Sequence, residues 1–553
     1  MIKRRSWLLA ICLLVAACAP PDTAPGWPSA PTASPPTDPS TAPSETAVVL
    51  LPEPPDTLNP LYARSWSARA VQDLFLVGLW RVDDRLGLLP ELAAEIPTLA
   101  NGGISADGQT LTIHLRSDVT WSDGQPLTAA DVVFTHRMVI AEGNHPVSRF
   151  PYDTFVDTVE ALDTHTVQIH LSRPFAPWPT TIFTFVLPQH VLEPVFALEG
   201  TLDRAVWNRN PTVGSGPFVF TGREGEELLF AAHPGYWRGG LQIEHLRVQA
   251  LADPAARWTA VALGQADLAP FLWPEVGSEL LPPAGVHLLA SPSGYVETLF
   301  FNLDPHIGHP ALQNPAVRAA LAQALDRRTI CEALPGSWAE PATTLWSGTV
   351  VENLALEIPL PDPAAAAERL YVAGWQDSDG DGAREREGVT LLLRYAVQTG
   401  AVDRSAAQTA VAQTWSAVGV DMSIVPSGPQ ALWDNPATWD VAQWADQPPG
   451  YPDPDDPRWL CVEARPGGNN PAAVCDEELD RLIVAQARAV DPDQRAALLI
   501  QTQQLAQERV WWVPLCRWED RWAVSDRLRG PQPWRGAPFW NCLLYTSPSP
   551  RDS

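Results

Sequence analysis

The sequence holds one strongly apolar run near its start, Ser6 to Ala17, placed directly after Lys3, Arg4 and Arg5. A helix needs about 20 apolar residues to cross the hydrocarbon core of a bilayer, and this run is shorter. A positive start, a short apolar core and the small residues Val15-Ala16-Ala17 before Cys18 form the pattern of an export signal. That feature constrains the rest of the chain most. No later run is apolar enough to span a membrane, so everything after Cys18 is expected to fold outside the cytoplasm, held at its N-terminus.

The small residues before Cys18 resemble the lipobox of bacterial lipoproteins, in which the chain is cut before the cysteine and the thiol carries diacylglycerol. Each buried CH₂ of an acyl chain contributes about 0.8 kcal/mol, so several chains hold a protein firmly. Residues 19–45 are rich in Pro, Ser, Thr and Ala and have almost no large apolar side chains. They cannot bury enough surface to offset ordering entropy, and read as a disordered tether. Fully extended at ~3.1 Å per residue, it reaches on the order of 80 Å.

The body has globular composition, 45% hydrophobic and 18% charged, and 553 residues exceed what one core usually supports, so more than one lobe is expected. A net charge of -27 argues against nucleic acid or an anionic lipid surface as partner, since both select basic patches. Cys461 and Cys475 close a short Gly- and Asn-rich loop and are expected to be bridged in an oxidising compartment; Cys331 and Cys516 are left without an assigned partner. No cysteine or histidine cluster has zinc spacing.

Local patterns mix strands and helices, which favours α/β lobes. Val48 to Leu51, Thr110 to Arg116 and Thr166 to Leu171 read as strands, the last two by alternation. Ala68 to Trp80, Pro315 to Ala324 and Asp476 to Ala489 have helical spacing. Thr128 is a candidate N-cap with Asp131 at the third helical position. Gly214 and Gly216, next to Pro217, mark a reversal where backbone passes close to a neighbour.

An ordered set of motifs then carries a likeness. Leu89-Pro90-Glu91-Leu92-Ala93 precedes Trp121-Ser122-Asp123-Gly124-Gln125-Pro126-Leu127-Thr128-Ala129-Ala130-Asp131-Val132-Val133-Phe134. Gly214-Ser215-Gly216-Pro217-Phe218, Tyr236-Trp237-Arg238-Gly239, Phe301-Asn302 and Asn314-Pro315-Ala316-Val317-Arg318 follow in order. The set resembles the family 5 extracellular solute-binding proteins, which include dipeptide, oligopeptide and nickel receptors of ABC importers. The resemblance implies a type II periplasmic-binding-protein-like clamp of two lobes with an additional third domain. By analogy, residues 46–84, 206–290 and 513–541 form lobe I, 85–205 the added domain and 291–512 lobe II. It implies a monomeric, non-enzymatic receptor that passes a small solute, expected to be a peptide, to ABC permease subunits. A nickel chelate, an oligosaccharide or a sensing role is the alternative.

In peptide receptors of this family an acidic residue after a Trp holds the ligand's α-amino group, and Trp444-Ala445-Asp446 resembles that segment. Asp446 is therefore the expected ammonium partner, Trp444 a pocket wall, and Tyr62 and Tyr295 neighbours of the cleft. Gln447-Pro448-Pro449-Gly450 departs from the family pattern and makes Asp453 the alternative. Asp377, Asp379 and Asp381 match the first half of a calcium loop, D-x-D-x-D-G, but Gly388 stands where a bidentate Glu belongs, with Glu385 or Glu387 as substitutes. A plain acidic turn fits that stretch as well, and no cofactor is required. No G-x-S-x-G or H-E-x-x-H motif of a secreted hydrolase occurs. Residues 542–553 resemble translated adapter sequence and are expected to lie outside the fold.

Overall fold

A computed structural model describes residues 46–539 apart from 240, 242, 273, 276–280, 335–338, 401, 448–456 and 466. The export signal, the tether, the C-terminal tail and Asp453 lie outside the described residues. Among the described residues, no helix is long and apolar enough to cross a membrane.

Two long antiparallel strands, Val286–Phe301 and Trp512–Ser525, form a ribbon through the middle of an 11-stranded sheet, with the short strand Ala339–Pro341 paired to the second of them off the main path. On one side the sheet continues through Leu268–Phe271, Thr46–Leu51, His245–Ala250, Glu227–Ala232 and Phe218–Glu224. On the other it continues through Val441–Asp446, Leu392–Gln398 and Asp421–Ser427. The ribbon shifts register between Pro292 and Val296 and again between Glu297 and Thr298. Bulges of this kind bend and twist a strand pair, so the shifts fall where the chain passes from one lobe to the other.

Buried side chains divide at the same place. One apolar core runs without a break from Ala47 and Phe75 through Trp121, Phe134 and Ile169 to Trp522 and Phe539. It joins the first lobe to the region that carries a separate three-stranded sheet of Thr110–His114, Thr166–Leu171 and Val156–Asp163. The second lobe has two cores, one around Leu321, Tyr395, Trp415 and Trp518, the other around Phe300, Trp444, Trp459 and Trp512. The sequence expectation that residues from 513 belong to the first lobe needs correction at its start. Val513, Leu515 and Trp518 pack in the second lobe, and the strand reaches the first only at Trp522, because it is long enough to serve both.

The family motifs act as scaffold. A Cβ on Gly214 would sit 2.2 Å from the Phe75 carbonyl oxygen, and one on Gly216 2.6 Å from the Phe75 carbonyl carbon. The Gly216 N–H donates to Phe75 O at 2.9 Å, and Ser215 Oγ accepts from Val77 N at 3.1 Å. Asp131, in the first turn of helix Ala129–Ile140, accepts from Thr128 N at 2.9 Å and from Gln189 N at 3.0 Å, so one carboxylate both caps the helix and ties in a second segment. The helix expected over Ala68–Trp80 spans Trp66–Phe75 instead. It stops short because Gly78 lies against the Phe183–Thr184 backbone, which no helical turn with side chains could approach, and Trp80 begins a strand.

Candidate solute site at the lobe crossing

Strand Val441–Asp446 is buried along almost its whole length and pairs antiparallel with the ribbon, Asp446 opposite Val296. The hydrophobic run Val441-Ala442 sets it in the sheet, and the charged residue falls at its end, beside the first register shift. Asp446 is 6% exposed. Its two carboxylate oxygens each accept from the Arg458 guanidinium at 2.9 Å, a bidentate pair. A buried carboxylate is tolerated only when paired in this way. The next residue, Gln447, donates to the Ser293 carbonyl at 3.1 Å, which ties the strand end to the crossing.

The crossing itself is polar and aromatic. Ser293 Oγ donates to Trp518 O at 2.8 Å and accepts from Tyr295 N at 3.1 Å. Arg535 lies over the Tyr295 ring at 5.1 Å and pairs with the fully buried Asp520 at 3.3 Å. Trp66 donates to Arg535 O at 2.9 Å, its ring centroid 6.0 Å from that of Trp522, and Trp522 donates to Ser291 Oγ at 3.1 Å.

The four expected ligand residues do not all converge. Trp444 and Asp446 share one face of the sheet, as alternation requires. Trp444 stacks on Phe300 with centroids 3.8 Å apart and belongs to the aromatic core beneath the Asp446–Arg458 pair, where Trp459 lies under Arg458. Tyr295 packs against the core of the opposite face. Tyr62 is elsewhere, half-buried in the first lobe's core with its hydroxyl facing Asp203; burial and that carboxylate push its pKa up.

On the Tyr295 face a second charged group is fully enclosed. Arg404 holds Glu297 through two hydrogen bonds of 2.6 and 3.1 Å, Gln443 donates to Glu297 at 2.9 Å, and the Tyr395 hydroxyl donates to Gln443. Burial pushes the Tyr395 pKa well up and the Glu297 carboxylate adds to it, so the phenol stays protonated as a donor. Sequence reasoning missed Arg458, Arg535, Asp520 and this cluster. Each links residues without a local pattern; the nearest signal was the Arg458-Trp459 step a few residues after Asp453.

Two disulfides brace the second lobe. Cys461–Cys475 closes at 2.15 Å and Cys331–Cys516 at 2.06 Å, the latter joining helix Arg327–Glu332 to the ribbon. In the acidic loop, Asp377, Asp379 and Glu385 place carboxylate oxygens within 4.8 Å of one another. Asp381, expected as the third oxygen donor, instead accepts from the Ala383 N–H at 2.8 Å, because the Gly382 turn brings that group to it. The loop's other carboxylates also serve its own backbone: Asp377 accepts from Gly380 N at 2.7 Å and Gly382 N at 3.1 Å, and Glu385 from Ser378 N at 2.7 Å.

Residues 59–469 match the family model of the bacterial extracellular solute-binding proteins, family 5 Middle. Protein XP55 of Streptomyces lividans is 28% identical over 510 residues, covering 89% of this chain and 87% of that protein. Among solved structures, a nickel ABC transporter protein of Bacillus halodurans superposes with a TM-score of 0.73 at 21% identity, covering 89% of this chain and 98% of that one. The oligopeptide-binding protein AppA of Bacillus subtilis, solved with a nonapeptide, superposes with a TM-score of 0.58 at 19% identity, covering 90% of this chain and 98% of that one. At these identities the structures speak for the two-lobed fold alone.

Proposed function

The chain belongs to the family 5 bacterial extracellular solute-binding proteins of ABC transporters, and on that premise we propose that its solute is a peptide. The observation that carries this reading is Asp446, a buried carboxylate at the strand end beside the lobe crossing. A carboxylate so placed, with low-dielectric walls of Trp444 and Phe300 beneath it, suits an α-ammonium that takes over the hydrogen bonds now given by Arg458. The guanidinium released would then face the peptide's own carbonyls or carboxylate. The solute leaves as it entered, because the family is one of receptors. The acidic loop at residues 377–385 we read as a turn closed on its own N–H groups, needing no metal. Cys18 is proposed as the lipid anchor, which keeps the body near the ABC permease.

Isothermal titration with tri- to pentapeptides tests this. Micromolar or tighter binding is expected, with Asp446→Ala weakening it by ten- to a hundredfold, since a charge-assisted pair contributes about 1.5–3 kcal/mol. Peptides blocked at the N-terminus should lose a similar amount. Equal binding of blocked and free peptides would exclude the ammonium role for Asp446.

A further inference from the structure

The ribbon is the covalent connection between the lobes, but they also touch at a second place, far along the chain from it. The Ala176 N–H, in the region between strand Thr166–Leu171 and helix Trp178–Thr181, donates to Ala487 O at 2.8 Å. Ala487 belongs to helix Glu477–Arg488 of the second lobe. Just after that helix, Val490 reaches the first lobe's core, and a Cβ on Gly108 would come within 2.3 Å of its Cγ2. The sequence of this spot is built for approach: Gly108 lies in a turn with φ +68, and Pro174 stands 3.3 Å from the same Cβ position.

Three observations separate this contact from a permanent seam. The first lobe and the three-stranded-sheet region share one continuous core, so they move as one body. The second lobe's buried cores are its own, and Val490 is a partly buried visitor to the other one. Beside the contact lies an apolar cavity of 230 Å³, lined from both bodies, by Leu111, Phe175 and Trp178 on one side and Ala489, Val490 and Pro492 on the other. Permanent interfaces pack to the density of protein interiors. Among the described residues, the backbone hydrogen bond and Val490 sit at the edge of this cavity, and a joint of that kind parts without exposing a core.

We propose that the Ala176–Ala487 and Gly108–Val490 contacts form a closing latch: they join when the lobes shut, part when they open, and so set the open–closed balance without touching the solute. Only the closed population holds solute enclosed, so the observed affinity scales with the closed fraction. The latch rests on the two-lobed fold and not on which solute binds.

Small-angle X-ray scattering on the full chain, wild type against Val490→Asp and, separately, Ala176→Pro, tests it. The aspartate forces a charge into the joint, and the proline removes the donated N–H. Both variants should show a larger radius of gyration, with the open-to-closed ratio raised on the order of tenfold. Val490→Leu should scatter like wild type. Far-ultraviolet circular dichroism verifies folding; should the aspartate variant unfold, the proline variant decides. A folded variant whose scattering curve superposes on that of wild type overturns the latch. The readout needs no solute, so it holds or fails independently of the peptide reading, which calorimetry decides.

Discussion

The two lobes keep themselves together differently. The first lobe and its inserted sheet share one large apolar core, in which glycines let backbones touch and a helix-capping carboxylate ties segments together, and a smaller core around Leu50, Phe271 and Ala523 covers the other face of the first lobe's strands. The second lobe divides its apolar residues between two faces, carries both disulfides, and buries the Glu297–Arg404–Gln443 cluster between strands. The difference lies in the staples and in what stands beside the crossing. The first body also encloses charged pairs, Glu91 with Arg81 and Arg238, and Arg257 with Glu275. The second lobe keeps the Glu297–Arg404 pair inside its sheet next to the crossing and holds it with hydrogen-bonding partners and staples.

The sharpest way to break this contrast is to unpair the buried charges. Glu297→Ala leaves Arg404 enclosed without its carboxylate, and should cost about 3–5 kcal/mol of unfolding free energy in urea titrations. Glu297→Gln with Arg404→Met, which removes both charges, should recover most of that loss. If Glu297→Ala costs under about 1 kcal/mol, the second lobe does not depend on the cluster.

Staples come next in size. Replacing Cys331 and Cys516 by Ser frees a loop with a sequence separation of 185 and should cost about 2–5 kcal/mol. Loss should concentrate in the second lobe, visible as hydrogen exchange accelerating in Arg327–Glu332 before any change in the first lobe's core.

A smaller effect belongs to the first body. His136 is buried against Tyr152, and burial lowers its pKa from 6.5 to about 4. Below the unfolded value the unfolded chain takes up a proton that the folded chain refuses. The neutral imidazole is therefore compatible with the fold at pH 7, and stability falls as the pH drops from about 6.5 towards 4. His136→Phe removes this term, so its stability relative to wild type should rise by on the order of 2–3 kcal/mol between pH 7 and pH 4 in parallel urea titrations.

The smallest expected effect is none: millimolar calcium should leave the melting temperature unchanged, because Asp377 and Glu385 already serve the loop's own N–H groups. A rise of several degrees, lost on Asp379→Ala, would restore the metal reading.

Much of the scaffold was legible because its causes are local. Strand Thr166–Leu171 alternates, and helix Pro315–Ala324 opens with Asn314 accepting from Ala316 N at 2.9 Å. The end of the first helix was not legible, since Gly78 is forced by a backbone that arrives from residues 183–184. The sequence marked Asp446 and Trp444 as candidates through a motif, but not the partner of Asp446, which comes from beyond the strand and carries no pattern of its own. Glu297 and Arg404 stand 107 residues apart, and the Cys331–Cys516 pairing spans 185, so only the closed sheet brings them together.

Native mass spectrometry of the protein as purified tests the central claim most directly, that the lobes shut over a peptide and leave it chemically intact. The account predicts a non-covalent adduct that collisional activation releases as an unmodified peptide, and that is reduced in Asp446→Ala. Release of a sugar or a chelated metal, or of a solute altered by the protein, would contradict it.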